Sequence, residues 1–85
     1  MSSWSVYLLK CADNSLYCGV TKDVELRMLK HNRGKASKYT RARLPVEMVA
    51  VKNNLMKSEA FRLEYQIKKL PAHKKRSALE NRDLA

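Results

Sequence analysis

Two tyrosines ten positions apart, Tyr7 in SVYLLK and Tyr17 in LYCGV, are the first residues of this chain whose types could do chemistry. Each is the only phenol of a short apolar stretch. Gly19, two positions after Tyr17, has no side chain and leaves room for a ligand to approach the backbone. Arg27 and His31 follow, four positions apart, so a helix would set them one turn from each other on one face. A guanidinium and an imidazole there could hold an anion and move a proton. They could equally be a solvated pair near a helix end, where cations are favoured. Glu64 is the last candidate. It falls inside an apolar helical arc, where a carboxylate costs free energy unless it is paired or binds a metal ion. Lys68, four positions on, is the available salt-bridge partner.

Such residues act together only if the elements bring them together. Residues 4–10, WSVYLLK, read as a strand, and residues 16–20, LYCGV, as a second. The turn cluster ADNS between them makes a hairpin. A three-residue loop, Ala12-Asp13-Asn14, would pair odd positions with odd positions. Tyr7 and Tyr17 would then be neighbours on one face, and Cys11 and Cys18 would point to opposite faces. A helix follows, capped by Thr21 or Asp23 and stopped at Gly34. Val24, Leu26, Met28 and Leu29 spread around a wide arc of it, with Arg27 and His31 at the border. Residues 35–45 are basic and weakly patterned, a loop with room for one helical turn. Residues 46–52, VEMVAVK, form a third strand that Asn53 and Asn54 should break. Ser58 should cap a second helix to about Leu70, whose stripe is Ala60, Leu63, Ile67 and Leu70, with Phe61 and Tyr65 extending its apolar side. Pro71 ends that helix and opens a last one over roughly residues 72–81. The tail NRDLA is expected to fray.

With 85 residues, the chain is read as one domain over residues 1–85, with its core at about residues 4–80. The element order β-β-α-β-α-α with short strands leads to an α/β (α+β) fold, a small, mainly antiparallel three-stranded sheet flanked by helices. Eighteen Lys and Arg against eight Asp and Glu leave a net charge of +10, a strong field for a phosphate-rich partner. Two cysteines are too few for a disulfide framework, and no apolar run approaches the length needed to span a membrane. A cytoplasmic protein without membrane association is expected. Cys11, Cys18, His31 and His73 match no ligand spacing for zinc.

The ordered set of these positions resembles the GIY-YIG nuclease family. SVY at 5–7 stands where that family has its first tripeptide, and YCG at 17–19 where it has the second. The pair Arg27 and His31 follows at a matching distance, and EAFRLEY at 59–65 is similar to the segment carrying the family's metal-binding glutamate. HNRGKASKYTRARLPVE is most similar to the short stand-alone bacterial members, the UPF0213 group. Ser5, Val6 and Cys18 depart from the tripeptides, while both tyrosines and Gly19 are kept.

The resemblance implies a metal-dependent DNA endonuclease that hydrolyses phosphodiester bonds, acting on branched, nicked or damaged DNA in repair or recombination. It implies that Glu64 holds one divalent ion, Mg2+ or Mn2+, that Arg27 braces the phosphate, and that Tyr17 orients a phosphate or water. Tyr7 would be the general base, its phenol lowered by basic surroundings and the nearby metal ion, with His31 relaying the proton. Lys35, Lys38, Tyr39, Arg41 and Arg43 would track the nucleic-acid backbone, with Tyr39 stacking on an exposed base. Lys68, Lys69, Lys74 and Lys75 would widen that footprint. DNA is the expected partner, or another nucleic acid, with a protein partner or a homodimer needed to cut two strands. Two other readings use the same residues: a basic nucleic-acid-binding module with little or no cleavage, and a structural protein whose tyrosines and Glu64 satisfy a small core.

Overall fold

A computed structural model describes residues 3–80 of the chain, and the tail expected to fray, residues 81–85, lies outside the described residues. Strand β1 is Trp4–Lys10 and β2 is Leu16–Thr21. Helices α1 (Val24–Asn32) and α2 (Lys38–Arg41) follow, then β3 (Glu47–Leu55), α3 (Lys57–Lys68) and α4 (Ala72–Glu80). The sheet is antiparallel throughout, in the order β2-β1-β3, so the fold is α+β with β2 at one edge. Among the described residues no helix is long and apolar enough to cross a membrane.

The hairpin register follows from its turn. Cys11 N–H donates to the Ser15 carbonyl and Asn14 N–H donates to the Cys11 carbonyl, each at 2.9 Å. That leaves Ala12, Asp13 and Asn14 as a three-residue loop, with Asn14 in the left-handed region at φ 68°. Odd positions therefore face odd positions: Tyr7 lies opposite Gly19, and Leu9 opposite Tyr17.

Central strand β1 buries five successive residues, Ser5 to Leu9, because both of its faces are covered. Val6 and Leu8 point to the layer of α3 and α4, packing with Cys18, Ala50, Leu55, Ala60, Leu63, Ile67 and Leu79. Tyr7 and Leu9 point the other way, with Cys11, Val46, Tyr17, Met28, Leu44 and Met48. Cys11 and Cys18 thus sit in different layers with the sheet between them.

Several local expectations change. β3 does not break at Asn53 and Asn54 but runs to Leu55. Asn54 takes φ 62°, and the Asn53 side chain accepts from Ser5 Oγ at 2.7 Å, so the pair is absorbed into the strand. α3 starts at Lys57, and Ser58 is not its cap. Glu59 reaches back to accept from Met56 N–H at 2.8 Å. The basic loop contains the short helix α2, capped by Ser37, whose Oγ accepts from Thr40 N–H. The wide apolar arc of α1 is split, with Met28 packed under the helix and its leucines turned outward. Leu26 and Leu29 are about half exposed, and the residue this helix buries is His31. Phe61 and Tyr65 likewise stand outside the core that Ala60, Leu63 and Ile67 enter.

Two leucines should separate core from surface in urea unfolding. Leu8→Ala, emptying a fully buried site between sheet and helices, is expected to cost about 2–5 kcal/mol. Leu29→Ala, on the outward face of α1, should stay within about 0.5 kcal/mol of the parent.

Candidate active site

The Tyr7 side chain runs outward over Gly19. A Cβ at Gly19 would overlap the Tyr7 hydroxyl and ring end, so the absence of a side chain there is what admits the phenol. The phenol then meets His31 from α1, with Tyr7 Oη 2.9 Å from His31 Nε2. His31 Nδ1 is 2.8 Å from Thr40 Oγ1 of α2, and Thr40 Oγ1 is 2.8 Å from Ser37 Oγ. All three side chains in the chain Tyr7–His31–Thr40 are almost fully enclosed.

Burial assigns the protons. A buried hydroxyl must donate, and the hydrogen bond available to Tyr7 is the one to His31. Nε2 is therefore the acceptor, and Nδ1 carries the imidazole hydrogen and donates to Thr40 Oγ1. Thr40 passes its own hydrogen on to Ser37, at Oγ or at the carbonyl oxygen 3.4 Å away. The electrostatics agree. Burial pushes the Tyr7 phenol well above its ordinary value, helped by Tyr17, Cys18 and Glu64 and opposed by Arg27. Burial, then the positive charge of Arg27, pushes His31 down. At neutral pH the pair is a phenol and a neutral imidazole. The basic surroundings alone do not lower Tyr7, because desolvation of a phenolate outweighs the nearby guanidinium.

Tyr17 flanks the pair on the same face. Its ring centroid is 6.5 Å from Tyr7 and 5.4 Å from His31. Arg27, half-buried one turn before His31 on α1, acts on both Tyr7 and His31 through its charge. The hairpin and α1 thus bring four of the expected residues to one place.

Glu64 comes from the other layer. Its carboxylate pairs with Lys68 at 3.3 Å, the i,i+4 bridge that the spacing allows, and its side chain is one-fifth exposed. It is still close enough to act on Tyr7 and on Cys18, whose thiol is pushed up to about 12 by burial first and Glu64 second. Cys18 and Gly19 are adjacent on edge strand β2. Tyr7 and Glu64 therefore approach that strand from opposite faces, and their fields meet across it. Among the described residues no three His, Cys, Asp or Glu side chains gather at one point. The donor chemistry fits a hard, mostly hydrated cation that takes one carboxylate, and does not fit a caged ion.

The basic loop divides in two. Lys35, Lys38 and Arg41 are exposed and line one shallow cleft with Gly34 and Ser37. Arg43 and Tyr39 are engaged within the fold. Arg43 Nε donates to Asp13 at 3.0 Å, its Nη1 donates to the Tyr39 carbonyl at 2.9 Å, and its guanidinium lies 3.9 Å from the Tyr39 ring centroid. The Tyr39 ring is stacked on Tyr17, with centroids 5.9 Å apart. These two residues hold the loop over the tyrosine pair while staying about a third exposed. Lys75 is likewise occupied, donating to the carbonyls of Ile67 and Lys68 at the end of α3. Thr40 and Ser37 are the site residues that sequence reasoning passed over. A Ser-x-x-Thr pair six and nine positions past a helical histidine, with the serine at the cap position of a short helix, was the available signal.

Residues 3–77 match the GIY-YIG catalytic domain. A UPF0213 protein of Staphylococcus aureus (strain Mu3) is 46% identical over 82 residues, covering 96% of this chain and 100% of that one. A UPF0213 protein of Nitratidesulfovibrio vulgaris is 45% identical over 76 residues, covering 89% of this chain and 69% of that one. The solution NMR structure of protein EF2693 from E. faecalis superposes with a TM-score of 0.65 at 36% identity, covering 100% of this chain and 91% of that one. That of the UPF0213 protein BH0048 from Bacillus halodurans gives 0.56 at 44% identity, covering 91% and 82%.

Two outcomes follow for stability. A folded His31 held below its unfolded value binds fewer protons than the unfolded chain, so its contribution is complete above about pH 6.5 and is lost as pH falls from there. Urea midpoints measured down that range should fall, and His31→Gln should flatten the slope. Thr40→Val, which leaves a buried Nδ1–H without an acceptor, should cost about 1–3 kcal/mol, and Thr40→Ser should recover most of it.

Proposed function

The chain belongs to the GIY-YIG catalytic-domain family, which implies nuclease activity, and on that premise we propose that it hydrolyses phosphodiester bonds of branched, nicked or damaged DNA with the help of one divalent cation. The observation that carries this reading is the 2.9 Å contact of Tyr7 Oη with His31 Nε2, which burial assigns as a phenol donating to a neutral imidazole. Such a phenol need not ionise beforehand. As water attacks phosphorus, its proton passes to Tyr7 Oη while the phenol hydrogen passes to His31 Nε2. Tyr7 ends neutral and His31 ends as an imidazolium, its Nδ1–H held by Thr40. The raised phenol and lowered imidazole set the resting state of that relay, and the proton reaches His31 only as the water deprotonates.

Arg27 then has a double role. Its charge adds to burial in keeping His31 neutral at rest, and its guanidinium offsets negative charge building on the phosphoryl oxygens. Tyr17, beside both rings, would orient the phosphate or the water by hydrogen bond. Glu64 is the residue that would hold Mg2+ or Mn2+, releasing exposed Lys68 toward the phosphates. When bound, such an ion supplies Lewis-acid stabilisation of the phosphate and of the leaving oxygen. Lys35, Lys38 and Arg41 would carry the flanking backbone.

The resting Glu64–Lys68 pair favours a second reading, a basic module that binds DNA without cutting. The two separate in one assay on nicked, flapped and branched DNA with Mg2+ or Mn2+. The nuclease reading expects cutting by the parent, a loss of at least about a hundredfold in Arg27→Ala and Glu64→Gln, and a comparable loss in Tyr7→Phe, with melting checked for each. The rate should also fall with acid as His31 protonates. Binding without cutting by the parent, or cutting that survives in all three variants, contradicts it.

A further inference from the structure

Three aromatic rings near the α3 layer take no part in the site above. Phe61 and Tyr65, one turn apart on α3, are 46% and 62% exposed. Trp4, half-buried at the start of β1, meets Phe61 with ring centroids 5.5 Å apart. Cations stand over these rings. Lys22 and Lys57 are each 5.8 Å from the Trp4 centroid, and Lys69 is 4.2 Å from that of Tyr65.

A single exposed ring needs no explanation, but neighbouring rings left outside so small a core point to a partner. The charges choose which. In a two-fold dimer the same patch faces itself, and the lysines would confront their own copies. A polyanion is favoured by the same lysines. A duplex offers its phosphates but keeps its base faces stacked internally, whereas an unpaired strand offers both phosphates and open base faces. The location adds a reason. At 100° per residue, Glu64 lies between the buried stripe of α3 and the Phe61–Tyr65 side, so the patch borders the acidic edge of the site.

We infer that this face of α3 is a stacking platform for an unpaired DNA strand, with bases on Phe61 and Tyr65 and phosphates on the lysines around them. Lysine heads are flexible and strongly hydrated, so they can leave the ring faces for phosphates as bases arrive. The inference rests on the nucleic-acid reading of the neighbouring site and narrows its substrate to DNA with a single-stranded flank.

Fluorescence anisotropy in EDTA, where the proposed ion is absent, tests it with a labelled short oligo-dT and a blunt duplex of equal length. Phe61→Ala and Tyr65→Ala should each weaken single-strand binding about tenfold, while duplex binding changes less than about twofold. Tyr65→Phe should bind the single strand like the parent. Both positions are exposed, and melting confirms that the variants are folded. Equal losses on both DNAs, or no loss on either, overturn the platform. So does a parent that sediments as a dimer and a double variant that sediments as a monomer. If the platform fails while cutting still depends on Arg27, the nuclease reading stands alone. If stacking persists without Arg27-dependent cutting, only that reading fails.

Discussion

The hydrogen bond from the Tyr7 hydroxyl to His31 Nε2 is the constraint around which this protein is arranged. It joins the central strand to the first helix through two side chains that are almost wholly enclosed by the fold. A buried polar pair is tolerable only when every member is satisfied, because an unmade bond in a low-dielectric interior costs more than a made one contributes. The surrounding structure meets that demand in order. Gly19 gives the phenol a path, the hairpin loop sets the register that puts Gly19 there, and Thr40 receives the far side of the imidazole. The odd appearance of α1, with leucines outside and a histidine inside, makes sense only in these terms. The helix is anchored by a polar group, and its apolar residues are secondary.

The sheet divides the labour. Tyr7, Tyr17, Arg27 and His31 gather on one face, where an aromatic and largely dry setting keeps the phenol protonated and the imidazole neutral. The carboxylate stands in the other layer with a lysine as its resting partner. The phenol–imidazole pair and the carboxylate thereby stand in different layers. Across the layers the carboxylate still acts on the phenol and on the Cys18 thiol. A carboxylate placed directly against the phenol would raise the phenol further and hold it back from taking part.

How much of this was legible depended on whether one element or several decided the outcome. The hairpin register could be read because turn chemistry and strand period both belong to one short stretch, and Asp13-Asn14 marks a three-residue loop. The stripe Ala60, Leu63 and Ile67 could be read because one helix carries it. What depended on partners elsewhere was missed. Asn53 and Asn54 look like breakers, yet a serine forty-eight positions away absorbs Asn53 into the strand. The contacts of Arg43 with Asp13 of the hairpin turn, and of Tyr39 with Tyr17 of β2, join segments that the sequence keeps far apart. The upward push of burial on Tyr7 was not legible for the same reason. Charge can be counted along a sequence, but desolvation depends on what covers the group, and here it outweighs the charge.

The claim on which the account turns is the direction of one proton: Tyr7 donates, and His31 carries its own hydrogen on Nδ1. Long-range proton–nitrogen NMR of the 15N-labelled protein near pH 7.5 reads this directly, with His73→Gln, an exposed position, used to assign the two imidazoles. The account predicts a neutral His31 protonated at Nδ1 with an unprotonated Nε2, unchanged when the pH is lowered by about one unit. A His31 protonated at Nε2, or an imidazolium at that pH, would contradict it, because Tyr7 would then have no acceptor for its hydrogen.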